Sequence, residues 1–252
     1  MNHDSWARQR IRVTDAEIYF ETHGDGPPLV CLHNFSANGR SRFTPLLPIL
    51  TRHFTCYLVD LRGHGRSTND TNDWTKERFS RDIIELCDSI GLRESYFLAA
   101  SSGAMTMLRV ARYSPQLVRA MVLDSGTYRI PETSRRYYKP YEALNDKLKQ
   151  YYAEANEAYG PEYGPVMAGA FYDFRLPECD INIPREWLGD ITSPTYILHG
   201  DRDLFFPAEI AVEMKRTIKN AALSVFPNTQ HIVMEFYPER VAELASEFLL
   251  SH

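Results

Sequence analysis

The apolar positions along this chain switch repeatedly between two periods. Residues 11–13 (IRV) and 17–22 (EIYFET) read as two strands, and Gly24-Asp25-Gly26-Pro27-Pro28 marks a tight turn after them. Residues 29–33 (LVCLH) form an unbroken apolar run, the pattern of a strand covered on both faces. The runs at 55–60 (TCYLVD), 96–100 (YFLAA), 119–124 (RAMVLD) and 195–199 (TYILH) repeat it, and 223–226 (LSVF) adds a last short strand. Between them, helical spacing aligns Phe79, Ile83, Leu86, Cys87 and Ile90 within 76–90, and Met107, Leu108 and Ala111 within 103–113. Eight strands alternating with helices predict an α/β protein built on a doubly wound, mostly parallel eight-stranded sheet.

One stretch departs from the alternation. Residues 127–190, after the sixth strand, hold no convincing strand, and nine of the chain's 15 tyrosines lie there. Tyr141, Leu144, Leu148, Tyr151, Ala155 and Tyr159 fall on one face of a long helical pattern. So short a segment buries little surface alone. The expected organisation is therefore a core of residues 1–126 and 191–252, with residues 127–190 inserted as a helical cap.

Composition narrows the partners. With 252 residues, 44% of them hydrophobic, the chain can build a core without disulfides or metals. Its 28 basic and 33 acidic residues leave a net charge of −5, without the dense basic face that nucleic acid requires. The one basic cluster, Arg135, Arg136 and Lys139, is short and interleaved with tyrosines. Cys31, Cys56, Cys87 and Cys179 form no CxxC, so no zinc or thioredoxin-type site is expected. Cys31 and Cys56 lie in strand runs and read as small core residues. No run approaches 18 apolar residues, and the opening MNHDSWARQR lacks the apolar stretch of a secretion signal. A cytoplasmic protein without a membrane span is expected.

In an open parallel sheet, ligands bind beyond the carboxyl ends of the strands. After the fifth strand comes Ala99-Ala100-Ser101-Ser102-Gly103-Ala104, the small-x-Ser-x-small pattern of a nucleophile elbow, with Ala99 where Gly is usual. A register centred on Ser102 also fits. Ser101 is favoured because it leaves Gly103 and Ala104 for close packing of helix on strand. After the seventh strand, Gly200 to Pro207 carries Asp203; after the last comes Pro227-Asn228-Thr229-Gln230-His231. Singly these are ordinary cap or turn residues. Together, Ser101, Asp203 and His231 follow the chain order of one hydrolytic triad family.

With these motifs the chain resembles the α/β-hydrolase superfamily over nearly its whole length. His33-Asn34-Phe35 stands where that family has its HG-type loop, and its D-x-R-G-x-G-x-S segment is intact as Asp60-Leu61-Arg62-Gly63-His64-Gly65-Arg66-Ser67. Gly200 to Pro207 matches its G-x-x-D stretch ending in Pro, and His231 precedes Pro238-Glu239 and an amphipathic terminal helix. The resemblance implies that Ser101 Oγ attacks a carbonyl, His231 takes its proton and Asp203 orients the imidazole. It implies an oxyanion hole of the Phe35 and Ser102 N–H groups. Asn34 departs from the glycine usual there; either it tolerates left-handed geometry or its side chain enters the site. Asp124, ending the sixth strand, is an alternative acid, at the position used by zearalenone-type lactonases. Asp203 is preferred because its motif is complete.

The resemblance further implies that the cap sets specificity. Tyr128, Tyr137, Tyr138, Tyr141, Phe171, Tyr172 and Phe174 are candidates for an aromatic wall, with Asn34, Phe205 and Phe206 beside the acid and nucleophile. The implied substrate is a small hydrophobic or aromatic carboxylic ester or lactone, cleaved through an acyl-enzyme without metal or cofactor. Two alternatives stand beside it: a carbon–carbon bond hydrolase with the same triad, and a non-catalytic, receptor-like binder in which Asn34 disables the oxyanion loop. Ser101 argues against the Asp nucleophile of haloalkane dehalogenases and epoxide hydrolases. Gly63-His64-Gly65 lacks the third glycine and following acid of a dinucleotide fingerprint. His33 and His64 lack a third ligand-spaced residue to form a metal site.

Overall fold

The computed structural model describes residues 7–252, so residues 1–6 of the polar opening lie outside it. Eight strands, β1 (Ala7–Val13), β2 (Ala16–His23), β3 (Pro28–Leu32), β4 (Thr55–Val59), β5 (Ser95–Ala100), β6 (Val118–Asp124), β7 (Thr195–Gly200) and β8 (Ala221–Phe226), form one sheet. Their order is β1-β2-β4-β3-β5-β6-β7-β8. β2 pairs antiparallel with β1 and β4, and every other neighbouring pair is parallel. This is the doubly wound, mostly parallel sheet that the alternation predicts.

The central strand β5 shows why its sequence is apolar throughout. All six of its residues are buried. Phe97 and Ala99 enter the core on one face, while Tyr96, Leu98 and Ala100 enter the core on the other. After β3 come two short helices, α1 (Gly39–Phe43) and α2 (Leu47–Leu50). Helices α3 (Lys76–Ser89) and α4 (Ser102–Tyr113) follow β4 and β5. Thr75 caps α3 by accepting the Arg78 N–H, and the stripe of Phe79, Ile83, Leu86 and Cys87 faces the sheet.

Between β6 and β7 the chain makes a helical excursion that includes α5 (Asp146–Glu154) and α6 (Gly164–Asp173). The long helix expected over Tyr141–Tyr159 is instead broken. A single 3-10 turn covers Tyr141–Ala143, and α5 starts afresh at Asn145, whose side chain accepts the Leu148 N–H. Beyond Glu154 the chain is tied to the 63–65 loop: Gly65 N donates to Ala155 O and the Asn156 side-chain Nδ2 donates to Gly63 O. The apolar spacing ran through a cap that the stripe alone does not show. The chain closes with α7 (Ala208–Thr217), α8 (Val233–Phe236) and α9 (Pro238–Leu250). No helix among the described residues is long and apolar enough to cross a membrane.

The segment Asp60–Ser67 works as a structural clasp. The Asp60 carboxylate accepts the Gly39 and Arg66 N–H groups, and Arg62 is buried against Asp82. Burial pushes Asp60 up to about 6, against the pull of Arg66 and the two N–H donors. Gly65 has φ of +51°, and a Cβ there would sit 2.3 Å from Asp60 Oδ2. His64 then meets Phe35 edge-on at 4.7 Å, so the clasp braces the loop after β3.

Candidate active site

β5 delivers Ser101 to a sharp turn with φ +47° and ψ −108°, directly before α4. For a residue with a side chain this is strained backbone, held by the Ser101 N–H on Asp124 O (2.8 Å) and the Gly103 N–H on His33 O (3.1 Å). A Cβ on Gly103 would lie 2.4 Å from Leu32 O, so only glycine lets α4 approach β3 this closely. Of the two serines, Ser101 faces His231. Its Oγ lies 2.9 Å from His231 Nε2, whereas Ser102 is helical and buried, and its Oγ has no partner among the described residues.

His231 Nδ1 is 2.7 Å from Asp203 Oδ2, and Asp203 Oδ1 accepts the Phe205 and Phe206 N–H groups at 2.8 and 3.0 Å. Burial works to raise the Asp203 pKa. The charge and hydrogen bond of His231, the nearby His199 and the Phe206 N–H outweigh it and hold the carboxyl below its ordinary value. An ionised carboxylate on Nδ1–H leaves Nε2 free to accept the Ser101 proton. Ser101, His231 and Asp203 thus form one continuous hydrogen-bonded chain.

Asp124, the alternative acid, does not reach the His231 side chain. Its carboxylate accepts the Val233 N–H (2.9 Å), the Met234 N–H (2.8 Å) and the Ser125 hydroxyl (2.9 Å), and Ser125 Oγ also accepts the Ile232 N–H. It is fully buried, and burial raises its pKa against these donors. Asp124 and Ser125 together grip the three residues that follow His231. Ile232, a β-branched residue, has φ of +68° in that grip. Sequence offered no sign of this role, because it depends on a turn 110 positions away.

In the loop after β3, His33 Nε2 accepts the Leu61 N–H and Nδ1 bonds Asn34 O. Both ring nitrogens are engaged and the ring is fully buried; burial first lowers its pKa, to about 3, so it is a neutral brace. The Asn34 side chain lines the cavity, but its amide is tied to Phe35 O (2.9 Å) and to Arg42 Nε (2.6 Å). The Phe35 and Ser102 N–H groups have no acceptor among the described residues.

Ser101 and His231 open into a cavity of about 240 Å³. Phe205 and Phe206 flank His231, each ring 5.2 Å from the imidazole. Tyr137, Tyr138, Phe171 and Phe174 contribute from the excursion. Tyr128 and Tyr141 correct the expected lining. Tyr128 turns away, packs in the core under the sheet and gives its hydroxyl to Glu213 on α7 (2.6 Å). Tyr141 sits outside the cavity in the 3-10 turn, beneath the Lys149 ammonium. Tyr172 is likewise outside, covered by Arg175. Sequence reading missed Met105, Leu148, Tyr151 and Tyr152. Met105 lies one turn beyond Ser101 on α4, a spacing that would have flagged it.

Comparison with known proteins agrees with this architecture. A sequence model of the alpha/beta hydrolase fold matches residues 27–161. The serine hydrolase BPHL of Mus musculus is 24% identical over 250 residues, spanning 95% of this chain and 85% of that protein. A thermophilic esterase from Thermogutta terrifontis superposes with a TM-score of 0.78 at 22% identity, covering 96% of this chain and 98% of its own. A meta-cleavage product hydrolase from Pseudomonas fluorescens superposes at 0.75 with 18% identity, covering 96% and 97%. At such identities the structural likenesses speak for the fold alone. With the sheet order, the serine turn after β5 and a family match over more than half its length, the chain belongs to the alpha/beta hydrolase fold family.

Proposed function

We propose that this protein is a serine hydrolase of small carboxylic esters or lactones, acting without a cofactor through an acyl-enzyme. One observation carries the reading: His231 bridges Ser101 Oγ and Asp203 at an aromatic-walled cavity. In the first half-reaction Ser101 Oγ bonds to the substrate carbonyl carbon while its proton passes to His231 Nε2. The C–O bond to the leaving alcohol then breaks, and the alcohol takes that proton. Water, deprotonated by His231, attacks the acyl-enzyme, and the acid leaves as Ser101 regains its proton. The Phe35 and Ser102 N–H groups are the oxyanion donors in this scheme, and neither is spent on another described acceptor.

The helical excursion acts as the cap and supplies most of the aromatic wall. A 240 Å³ cavity lies below the range of about 300–1,000 Å³ that holds drug-sized ligands, which points to a substrate of modest size. Asn34 argues against the receptor-like alternative, since Arg42 and Phe35 O hold its amide instead of its occupying the oxyanion position. The test is steady-state kinetics of wild type and Ser101→Ala on aryl esters, lactones and vinylogous diketones. The reading expects ester or lactone turnover that falls up to roughly 10⁶-fold in the variant. Activity above a few per cent of wild type in Ser101→Ala, or turnover of the diketones alone, contradicts it.

A further inference from the structure

Tyr138 lines the cavity, and the mechanism above does not use it. It is 3% exposed and lines the cavity beside Phe171 and Phe205, at ring separations of 4.9 and 5.6 Å. Phe205 in turn touches the His231 ring. A buried tyrosine hydroxyl ordinarily finds a partner. Tyr128 does so on Glu213 and Tyr19 on Glu21. The Tyr138 hydroxyl has none among the described residues, and it does not belong to the buried polar atoms sealed off from any approach. Burial first, and then the nearby Asp203 carboxylate among others, push its pKa upward, so it stays a neutral donor at any working pH.

We propose that the Tyr138 hydroxyl is the specificity-determining donor of this cavity, taking a second oxygen of the substrate distinct from the scissile carbonyl. This inference rests on the ester-hydrolase reading and narrows its substrate class to a small aromatic or cyclic ester or lactone bearing a hydroxyl or ketone oxygen. A carboxylate is disfavoured in that place, because the ionised Asp203 already lies within electrostatic reach of the phenol. The Tyr152 hydroxyl, in the same cavity, has Ser36 beside it and is less available. A substrate oxygen on this hydroxyl gains the modest net of one neutral hydrogen bond, which phenyl acetate has no second oxygen to make.

The test compares phenyl acetate with the 2-, 3- and 4-hydroxyphenyl acetates, each kcat/KM divided by the rate of alkaline hydrolysis. In the wild type, at least one hydroxy isomer is expected to exceed phenyl acetate by about 2- to 13-fold, the net span of one neutral hydrogen bond. In Tyr138→Phe the ratio of that isomer to phenyl acetate falls toward one. Unfolding of the ligand-free protein supplies the second readout: Tyr138→Phe keeps or gains stability, because no protein hydrogen bond is lost. A wild-type ratio near one for every isomer, a ratio unchanged in Tyr138→Phe, or a marked drop in its melting temperature overturns the proposal. Turnover of none of the four esters by a protein that still labels at Ser101 with a fluorophosphonate overturns the substrate class while leaving the hydrolase reading standing. Failure of both turnover and labelling removes the two together.

Discussion

Replacing Asp124 by Asn separates the two buried aspartates near His231. In the native turn, the Asp124 carboxylate accepts the Val233 and Met234 N–H groups while Ser125 Oγ accepts that of Ile232. An amide of the same shape turns one accepting oxygen into a donor, so either Val233 or Met234 loses its partner. A hydrogen bond to a buried charge contributes about 1.5–3 kcal/mol. Left-handed backbone at Ile232 costs roughly 1–2 kcal/mol, so the loss is comparable to the strain it restrains. If the whole loss appears as displacement of His231, kcat falls about 10- to 150-fold with KM little changed. Asp203→Asn leaves the cavity intact but removes the partner that fixes the imidazole tautomer, a change that costs on the order of 10⁴ in kcat in a triad. Steady-state kinetics on phenyl acetate, with urea unfolding to confirm each fold, gives both numbers. The reverse ranking, with Asp124→Asn the more damaging to kcat, would refute the assignment. Wild-type activity and stability in Asp124→Asn would show that the grip does nothing.

Two further predictions follow from the geometry. Gly103→Ala forces a Cβ to within 2.4 Å of Leu32 O, a backbone atom that cannot yield without moving β3. The variant is expected to lose at least about 2 kcal/mol of stability, read from urea unfolding, and most of its turnover, since α4 and the Ser101 turn shift together; a wild-type melting curve would contradict this. His64 is buried with its pKa well below the ordinary value, chiefly through burial, so below pH 6.5 only the unfolded chain takes up its proton. Stability from this group is present above 6.5 and is lost as pH falls, by about 1.4 kcal/mol per unit. Asp60, with its pKa raised to about 6, works in the opposite direction below that pH. The readout is therefore the difference between wild type and His64→Phe, which should narrow by that slope between pH 6 and 5. Parallel curves would count against it.

The strands were legible because a sheet covered on both faces demands continuous apolar runs, and β5 shows that demand at every position. Ser101, Asp203 and His231 stood out from their places at strand ends and from the motifs around them, and the structure brings His231 within hydrogen-bond distance of the other two. Glycine at 103 was legible for the same reason, since close packing admits nothing larger. What escaped was set by contacts between distant segments. The helix over Tyr141–Tyr159 broke because Asn145 caps and Asn156 pairs with the 63–65 loop, neither of which changes the apolar spacing. Tyr128 has the composition of a cavity residue, but Glu213 on α7 holds its hydroxyl under the sheet. Leu148 and Tyr151 lay on a recognised apolar stripe, yet spacing gave no means of telling a cavity wall from packing within the excursion. Asp124 stood as the alternative acid because strand ends carry chemistry, and its carboxylate accepts the N–H groups of Val233 and Met234 after His231.

The most direct test of the central claim is labelling of the folded protein with a small fluorophosphonate, followed by peptide mass mapping. The account predicts a single adduct on Ser101, lost in His231→Ala because the imidazole no longer takes the serine proton. An adduct on Ser102, an adduct on Ser101 that persists undiminished in His231→Ala, or no adduct in a protein shown to be folded would each contradict it.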